Sequence, residues 1–246
     1  MRLFGVNHLV LLVLAVVGIA SRSDANIITV PPGLSPGETY RLVFVTADTT
    51  TATSTNIADY NDFVTSEAND VAALAALRAT WMVIGSTESV SAVTNIGPSS
   101  AGIYTLDGAE VATSTAALFS TITTPLLSPI DITQYGSPIM YEVFAWTGAK
   151  YDGTHFTDLA LGDPTAEIGC IQDTSIGYLD CFPNNPQNWQ FPQYAISSEL
   201  TVGGATPEPG TIALTALGGA MLFLARRRKQ QYHMATRTDR APPAHR

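Results

Sequence analysis

The segment YRLVFVT, Tyr40–Thr46, decides the predicted fold, because it combines aromatic, aliphatic and β-branched side chains over the length of one strand. A second segment of this kind, YAISSELTV, covers Tyr194–Val202. The sequence therefore predicts a body, residues 26–203, whose first and last regular elements are strands.

The other predicted elements place helices early and short strands late. Ile57, Tyr60 and Val64 recur at helical spacing, and Thr55 precedes them as a cap. This distribution favours one α+β domain with short strands and long loops over a βαβ array. The full set is a helix over 56–64, an Ala-rich helix over 70–77, strands over 81–85, 103–106 and 141–147, helical turns over 114–119, and a loop over 162–192.

Residues 1–25, MRLFGVNHLVLLVLAVVGIASRSDA, have the parts of a secretory signal peptide. Arg2 forms the positive end, an apolar core follows, and the small residues Ser23 and Ala25 are spaced for cleavage. A core of about 12 apolar residues is short for a membrane-spanning helix. We therefore expect export through the Sec translocon and cleavage by signal peptidase, with a buried N-terminal helix as the alternative.

Charged residues are distributed unevenly along the chain. Between residues 26 and 225 there are three basic residues, Arg41, Arg78 and Lys150, against 19 acidic ones, a formal charge of −16. A surface of this charge repels nucleic acid and anionic lipid, and it attracts cations and basic partners. We therefore expect no nucleic-acid partner, although such an acidic load also serves simply to keep an exported protein in solution.

The two cysteines, Cys170 and Cys181, are expected to form a disulfide, because an exported protein enters an oxidising compartment. The bridge would close a loop of about 12 residues and stabilise the fold by roughly 3 kcal/mol. A reactive thiol is the alternative, and it is disfavoured because no histidine is close in sequence.

The stretch TPEPGTIALTALGGAMLFLARRRKQ, residues 206–230, predicts a short membrane anchor with one helix over about 210–225. Its apolar part, Ile212–Ala225, is about 21 Å long as a helix, against a hydrocarbon core of about 30 Å. Four basic residues follow directly and favour a cytoplasmic carboxyl terminus. So short an anchor suits temporary tethering, and an ordinary stop-transfer anchor is the alternative.

Residues 204–229 resemble the PEP-CTERM sorting signal of Gram-negative bacteria, a segment also labelled an ice-binding-protein C-terminal domain. The resemblance implies that exosortase, a membrane cysteine transpeptidase, processes an inner-membrane precursor and releases the body to the cell surface or the extracellular polysaccharide matrix. The basic tail over 230–246 is longer than in this family, and we expect it to be disordered. The residues that carry the signal are Pro207, Glu208, Pro209, Arg226, Arg227, Arg228 and Lys229.

The second half of the body resembles endostatin-like domains of the C-type-lectin-like fold. The segments IYTLDGAEV, AALF, PL and FAWTGAKYDG follow one another between residues 103 and 153 with similar spacing. The resemblance implies a single C-type-lectin-like domain. It carries over no site, because the chain has two cysteines instead of nested pairs, lacks N-terminal zinc-binding histidines, and does not match the sugar-binding calcium motif at Pro183–Trp189.

The body contains little that predicts catalysis. His155 is its only histidine, and it follows a predicted turn, so we expect an exposed loop residue. A secreted carboxylate-dependent hydrolase is the second alternative. The 19 acidic residues between residues 26 and 225 contain many pairs that could supply its two carboxylates, but the sequence does not indicate which pair. Two groups of acidic residues are candidates for binding calcium, the one cofactor that the body suggests: Asp48, Asp59, Asp62 and Asp70, and Asp152, Asp158 and Asp163. Neither group has the spacing of a calcium-binding loop, so we expect solvated acidic faces.

The three tryptophans are candidates for stacking against sugar rings. Most tryptophans in a domain of this size are core residues, and we expect this for Trp81 and Trp146. Trp189 lies in a Pro- and Asn-rich segment and is expected to be exposed, as part of a glycan-contact surface. The whole sequence predicts an exported, non-enzymatic surface or matrix protein, with a carbohydrate-binding module of the exopolysaccharide matrix as the first alternative.

Overall fold

The computed structural model describes residues 27–140 and 143–203. The predicted signal peptide, the sorting segment with all its signal residues, and the basic tail lie outside the described residues. Among the described residues, no helix is long and apolar enough to cross a membrane. The described part mixes a few short helices with a larger share of sheet, which agrees with the α+β expectation.

The strands of the described part are, in chain order, β1 (Thr39–Val45), β2 (Trp81–Val83), β3 (Gly102–Thr105), β4 (Glu110–Ala112), β5 (Phe144–Trp146), β6 (Thr165–Cys170), β7 (Phe182–Pro186), β8 (Tyr194–Ser197) and β9 (Leu200–Thr201). The larger sheet has the order β2-β8-β1-β3-β4, and β9 also pairs with β1. Within it, β1 runs parallel to β3 and antiparallel to β8 and β9. A smaller antiparallel sheet has the order β5-β6-β7.

Strand β1 is buried on both faces, which explains its almost uninterrupted apolar sequence. Leu42 and Phe44 belong to one core cluster, and Val43 and Val45 belong to a second cluster on the opposite face. The strand predicted over 40–46 is therefore confirmed, and it lies at the centre of the larger sheet.

The helices of the described part are α1 (Ile57–Asn69), α2 (Ala72–Ala75), α3 (Ala92–Ile96) and α4 (Thr115–Leu118). Asn56 caps α1, because its side-chain oxygen accepts a hydrogen bond from the Ala58 backbone N–H at 3.2 Å. The cap predicted at Thr55 is therefore wrong by one residue. The helix continues beyond the predicted end at Val64, because its last turns bury Glu67 and Ala68.

The loop predicted over 162–192 is wrong, because this segment contains β6, β7 and a 3-10 helix at Ile176–Tyr178. Strand β7, FPNNP, lies at the edge of its sheet, the position in a sheet that tolerates proline. Gly169 is needed in β6 because a Cβ there would overlap the carbonyl oxygen of Tyr178. A composition rich in Pro, Asn and Gly therefore concealed two strands.

Trp81 and Trp146 are both buried in the core, as predicted. The Trp81 ring packs edge-on against Phe44, with ring centroids 5.1 Å apart. Trp146 belongs to the same cluster, and its indole Nε1 donates a hydrogen bond to the carbonyl oxygen of Thr50 at 3.0 Å. Since Trp81 lies on β2 and Trp146 on β5, this cluster joins the two sheets.

Candidate functional site

The segment Phe182–Phe191, FPNNPQNWQF, contains no charged residue although the body around it is strongly acidic. Its ten residues include three aromatic residues, five amides and two prolines. Contacts made by the side chains of this segment do not depend on charge, although the body as a whole has a formal charge of −15.

Trp189 is exposed, with 51% of its surface accessible, which agrees with the exposure predicted from the sequence. Its ring lies 6.1 Å from the ring of Phe191 in an edge-to-face arrangement. Phe191 exchanges two backbone hydrogen bonds with Thr50, at 2.9 and 3.1 Å, and its ring packs 4.9 Å from that of the buried Trp146. The exposed indole therefore rests on a well-anchored support.

Four aromatic rings form one series of pairwise contacts, called here the aromatic row: Phe182, Phe144, Phe191 and Trp189. The ring centroids of Phe182 and Phe144 are 5.4 Å apart, and those of Phe144 and Phe191 are 6.2 Å apart. Every neighbouring pair is edge-to-face, the geometry that aromatic quadrupoles favour. The two end rings are exposed, Phe182 by 52%, whereas the two middle rings are half-buried.

Amide and hydroxyl groups surround the Trp189 end of the aromatic row. Asn188 and Gln190 are exposed on either side of Trp189 in the chain, and Thr49 Oγ1 donates a hydrogen bond to Gln190 Oε1 at 3.4 Å. Asn184 is also exposed, and its φ of 65° is one that asparagine adopts more readily than most residues. Neutral donors and acceptors therefore lie beside the exposed ring.

A cavity of about 490 Å³ opens at the Phe182 end of the aromatic row. It is bordered by the predicted disulfide, since Cys170 lines it and Cys181 directly precedes Phe182. The two cysteine Cα atoms are 5.7 Å apart. Gln172 and Thr174 contribute polar groups to the wall of this disulfide cavity.

A larger cavity, of about 700 Å³, lies beside α4 and offers less chemistry. Behind its lining residue Thr115 is the buried guanidinium of Arg41. Arg41 Nε donates to the carbonyl oxygen of Ser197 at 2.6 Å, and Nη1 donates to that of Ile96 at 3.2 Å and to Thr115 Oγ1 at 3.3 Å. These bonds give Arg41 a structural role in joining β1, β8 and the helices.

The sequence reasoning missed Glu167, a fully buried carboxyl group in β6. Both of its carboxylate oxygens lack a hydrogen-bond partner. Burial, together with the charge of Asp180, raises the pKa of Glu167 to about 8, and nearby backbone amides only partly offset this. The signal in the sequence is an acid between Ala166 and Ile168, but the Pro, Gly and Asn residues of this segment favour a loop and conceal the strand.

A second buried carboxyl group, Glu67 of α1, holds the loop that follows β1. Its Oε2 accepts hydrogen bonds from Gln134 Nε2 at 2.5 Å and from the Asp48 backbone N–H at 3.3 Å. Burial raises the pKa of Glu67. By fixing this loop, Glu67 helps to position Thr50, the residue that pairs with Phe191 in the aromatic row.

His155 and the two acidic groups identified in the sequence do not assemble into a site. His155 is partly exposed, and its Nε2 lies 3.9 Å from Glu88 Oε2. Among the described residues, no three His, Cys, Asp or Glu side chains lie close enough to hold a metal ion. Asp59, Asp152 and Asp163 instead accept hydrogen bonds from neighbouring residues in local turns.

The aromatic row, the neutral segment around Trp189 and the disulfide cavity are adjacent features of the body. No protein-family model matches the chain, and no curated protein matches it either.

Proposed function

We propose that the body of this chain binds a polysaccharide of the extracellular matrix through the surface around Trp189. The observation that carries the proposal is the exposed indole, which Phe191 supports and which amides flank in place of charges. The apolar C–H face of a sugar ring packs against an aromatic ring, while its hydroxyls bond to neighbouring amides. The surface around Trp189 offers both kinds of contact.

We propose the following route for the chain. It is exported from a Gram-negative bacterium and held at the inner membrane by one C-terminal helix, with its carboxyl terminus in the cytoplasm. Exosortase then processes it near Pro207–Pro209 and releases the body to the cell surface or matrix. The opposing signals at the two ends of the sequence support this route, as does a disulfide that needs an oxidising compartment.

Mass spectrometry of both ends of the mature protein tests this route. We expect an amino terminus near Asn26 and a carboxyl terminus near Glu208. A carboxyl terminus at Arg246 in membrane fractions would contradict exosortase processing.

For the body we propose the C-type-lectin-like fold that the sequence resembles. Support comes from the pairing of the first strand with the last two, β1 with β8 and β9. Further support comes from a second, small sheet formed by β5, β6 and β7.

The proposal assigns binding and no catalysis. Glu167 has the raised pKa that a general acid needs, but its full burial keeps it from contacting a substrate. A secreted hydrolase is therefore second to a binding protein, and Trp189 is the residue on which the proposal depends.

Replacement of the indole tests the proposal directly. We expect Trp189→Ala to weaken binding to the producing strain's own exopolysaccharide, and to the neutral glycans of an array, by at least about tenfold, or about 1.4 kcal/mol. Trp189→Phe should retain part of the affinity because it keeps a ring. Ile122→Ala is the matched control, since it removes an exposed apolar side chain outside the aromatic row. Equal binding of these glycans by wild type and by Trp189→Ala would contradict the proposal.

A further inference from the structure

We infer that the proposed glycan surface continues along the aromatic row from Trp189 to the disulfide cavity, and that its ligand is a neutral polysaccharide read over several consecutive sugars. This inference rests on the proposed function and deepens it. It names the class of ligand, an uncharged chain, and it distinguishes recognition along a chain from recognition of a single terminal sugar.

The two exposed rings at the ends of the aromatic row support recognition along a chain. The three neighbouring ring separations, 5.4, 6.2 and 6.1 Å, limit the distance between the Phe182 and Trp189 centroids to about 18 Å. Both end rings are half exposed, and Phe144 and Phe191 support them from between. The two exposed rings provide two stacking positions for the same chain.

The disulfide cavity supplies the second of these positions. Phe144 pairs with Cys170 across β5 and β6, and Phe182 pairs with Ile168 across β6 and β7. Both residues line the cavity, together with Cys170 of the disulfide. A sugar in this cavity would therefore contact two rings, with the polar groups of the cavity wall available to its hydroxyls.

The charges of the body favour an uncharged chain. Two basic residues of the body lie elsewhere, since Arg41 is buried in β1 and Arg78 follows α2. Lys150 stacks over the ring of Phe156 at 5.3 Å, and its charge acts on Asp180, two residues before Phe182. Asp173 is the charged residue of the cavity lining, and its Oδ1 accepts the Ser175 backbone N–H at 2.6 Å. A polyanionic glycan would meet a body with a formal charge of −15, in which Asp152 and Asp180 offset the charge of Lys150.

A length series of oligosaccharides tests the inference on the purified full chain. The probes are oligosaccharides derived from cellulose, mannan and xylan, from disaccharide to hexasaccharide, with oligogalacturonides as the charged comparison. We expect wild-type affinity to rise with length for at least one neutral series and to be at least about tenfold lower for the charged series. Trp189→Ala should weaken binding at every length.

Phe182→Ala separates the inference from the proposed function. It should remove most of the gain in affinity of the longer oligosaccharides, and it should weaken disaccharide binding less than Trp189→Ala does. Cys170→Ser/Cys181→Ser should have the same length-dependent effect, and circular dichroism should confirm that each variant keeps the wild-type fold. Ile122→Ala again serves as the control.

Three outcomes would overturn the inference. If Phe182→Ala binds every length as wild type does, or weakens all lengths equally, recognition does not extend along the row, although the surface at Trp189 still stands. If oligogalacturonides bind as tightly as neutral chains, the ligand class is wrong. If no oligosaccharide binds and Phe182→Ala abolishes self-association of the chain, the row is an interface between two copies, and the proposed function fails as well.

Discussion

Glu167 is one of the buried side chains that make the stability of this fold depend on pH. Its pKa is about 8 in the folded protein and near 4.3 in an unfolded chain. A carboxyl group whose pKa is raised by folding contributes its full stability below the unfolded pKa, where it is neutral in both states. That contribution is lost as the pH rises through the interval from about 4 to about 8. The buried site therefore favours the uncharged acid.

Glu167→Gln should remove this part of the pH dependence. The amide is neutral at every pH, so we expect the variant to be more stable than wild type by a few kcal/mol at pH 8.5, since one pKa unit corresponds to about 1.4 kcal/mol. At pH 5 the two proteins should differ little. Urea unfolding at both pH values, with the disulfide intact, measures the difference.

The control for this prediction is Asp158→Asn, which neutralises an exposed carboxylate. The positive φ of Asp158, 64°, suits asparagine equally well, so this variant should follow the wild-type pH profile. Parallel pH profiles for Glu167→Gln and wild type would show that Glu167 titrates as an ordinary exposed acid.

At the scale of the elements, the smaller sheet depends on a close approach at Gly169. The backbone of β6 passes directly against the carbonyl oxygen of Tyr178 in the 3-10 helix, so that no Cβ fits between them. Tyr178 is itself fixed, because its hydroxyl donates a hydrogen bond to the Leu118 carbonyl oxygen at 2.6 Å. The segment around the disulfide therefore has little freedom to move away.

Gly169→Ala should destabilise the protein by about 3 kcal/mol or more, because the added methyl group meets backbone atoms that cannot rotate away. Gly203→Ala is the matched control, since a Cβ at that position meets no atom within 4 Å. The midpoint of urea unfolding compares the two variants. Similar midpoints would mean that β6 and the 3-10 helix can separate without cost.

The elements predicted correctly are those whose sequence carries a strong local signal. Strand β1 is an apolar run because both its faces are buried, and helix α1 repeats apolar residues at helical spacing. The parallel pairing of β1 with β3 joins residues about 60 positions apart, so local sequence does not specify it. Strands β6 and β7 are not predicted from the sequence because their residues have little intrinsic strand preference. Long-range contacts, such as that of Gly169 with Tyr178, determine which residues occur there.

Only one residue of the candidate site could be predicted from the sequence. Trp189 could be expected at the surface because prolines and asparagines surround it in the sequence. The aromatic row could not be expected, because Phe144 and Phe182 become neighbours only when β5, β6 and β7 form a sheet. Likewise, the raised pKa of Glu167 follows from its burial in that sheet and not from its sequence neighbours.

At the scale of the whole molecule, the dominant property is charge. The described body contains a single close pair of opposite charges, His155 with Glu88, and that pair exists only when His155 is protonated. Most of the body's formal charge of −15 is therefore not compensated by ion pairs, and the acidic groups repel one another. Dissolved salt screens such repulsion over about 8–10 Å at physiological ionic strength.

Added sodium chloride should therefore stabilise the protein. Between low and physiological salt at neutral pH, we expect the melting temperature to rise by about 2–4 °C for each 1 kcal/mol gained. The gain should shrink near pH 4, where more carboxylates are protonated. Differential scanning calorimetry provides the measurement, and a melting temperature that falls with salt at neutral pH would indicate that attractive charge pairs dominate.

The pairing of β1 with β9 brings the amino-terminal and carboxyl-terminal ends of the body together. The Gly37 N–H donates to the Val202 carbonyl oxygen at 2.9 Å, and the Val202 N–H donates to that of Glu38 at 2.9 Å. A force that pulls these two ends apart would break the hydrogen bonds between them one after another. A pull between Val202 and Trp189 would instead run along β8, which is bonded on both sides by β1 and β2. Those bonds would share the load in shear, so the body should resist a pull in this direction better than a pull that separates Gly37 from Val202.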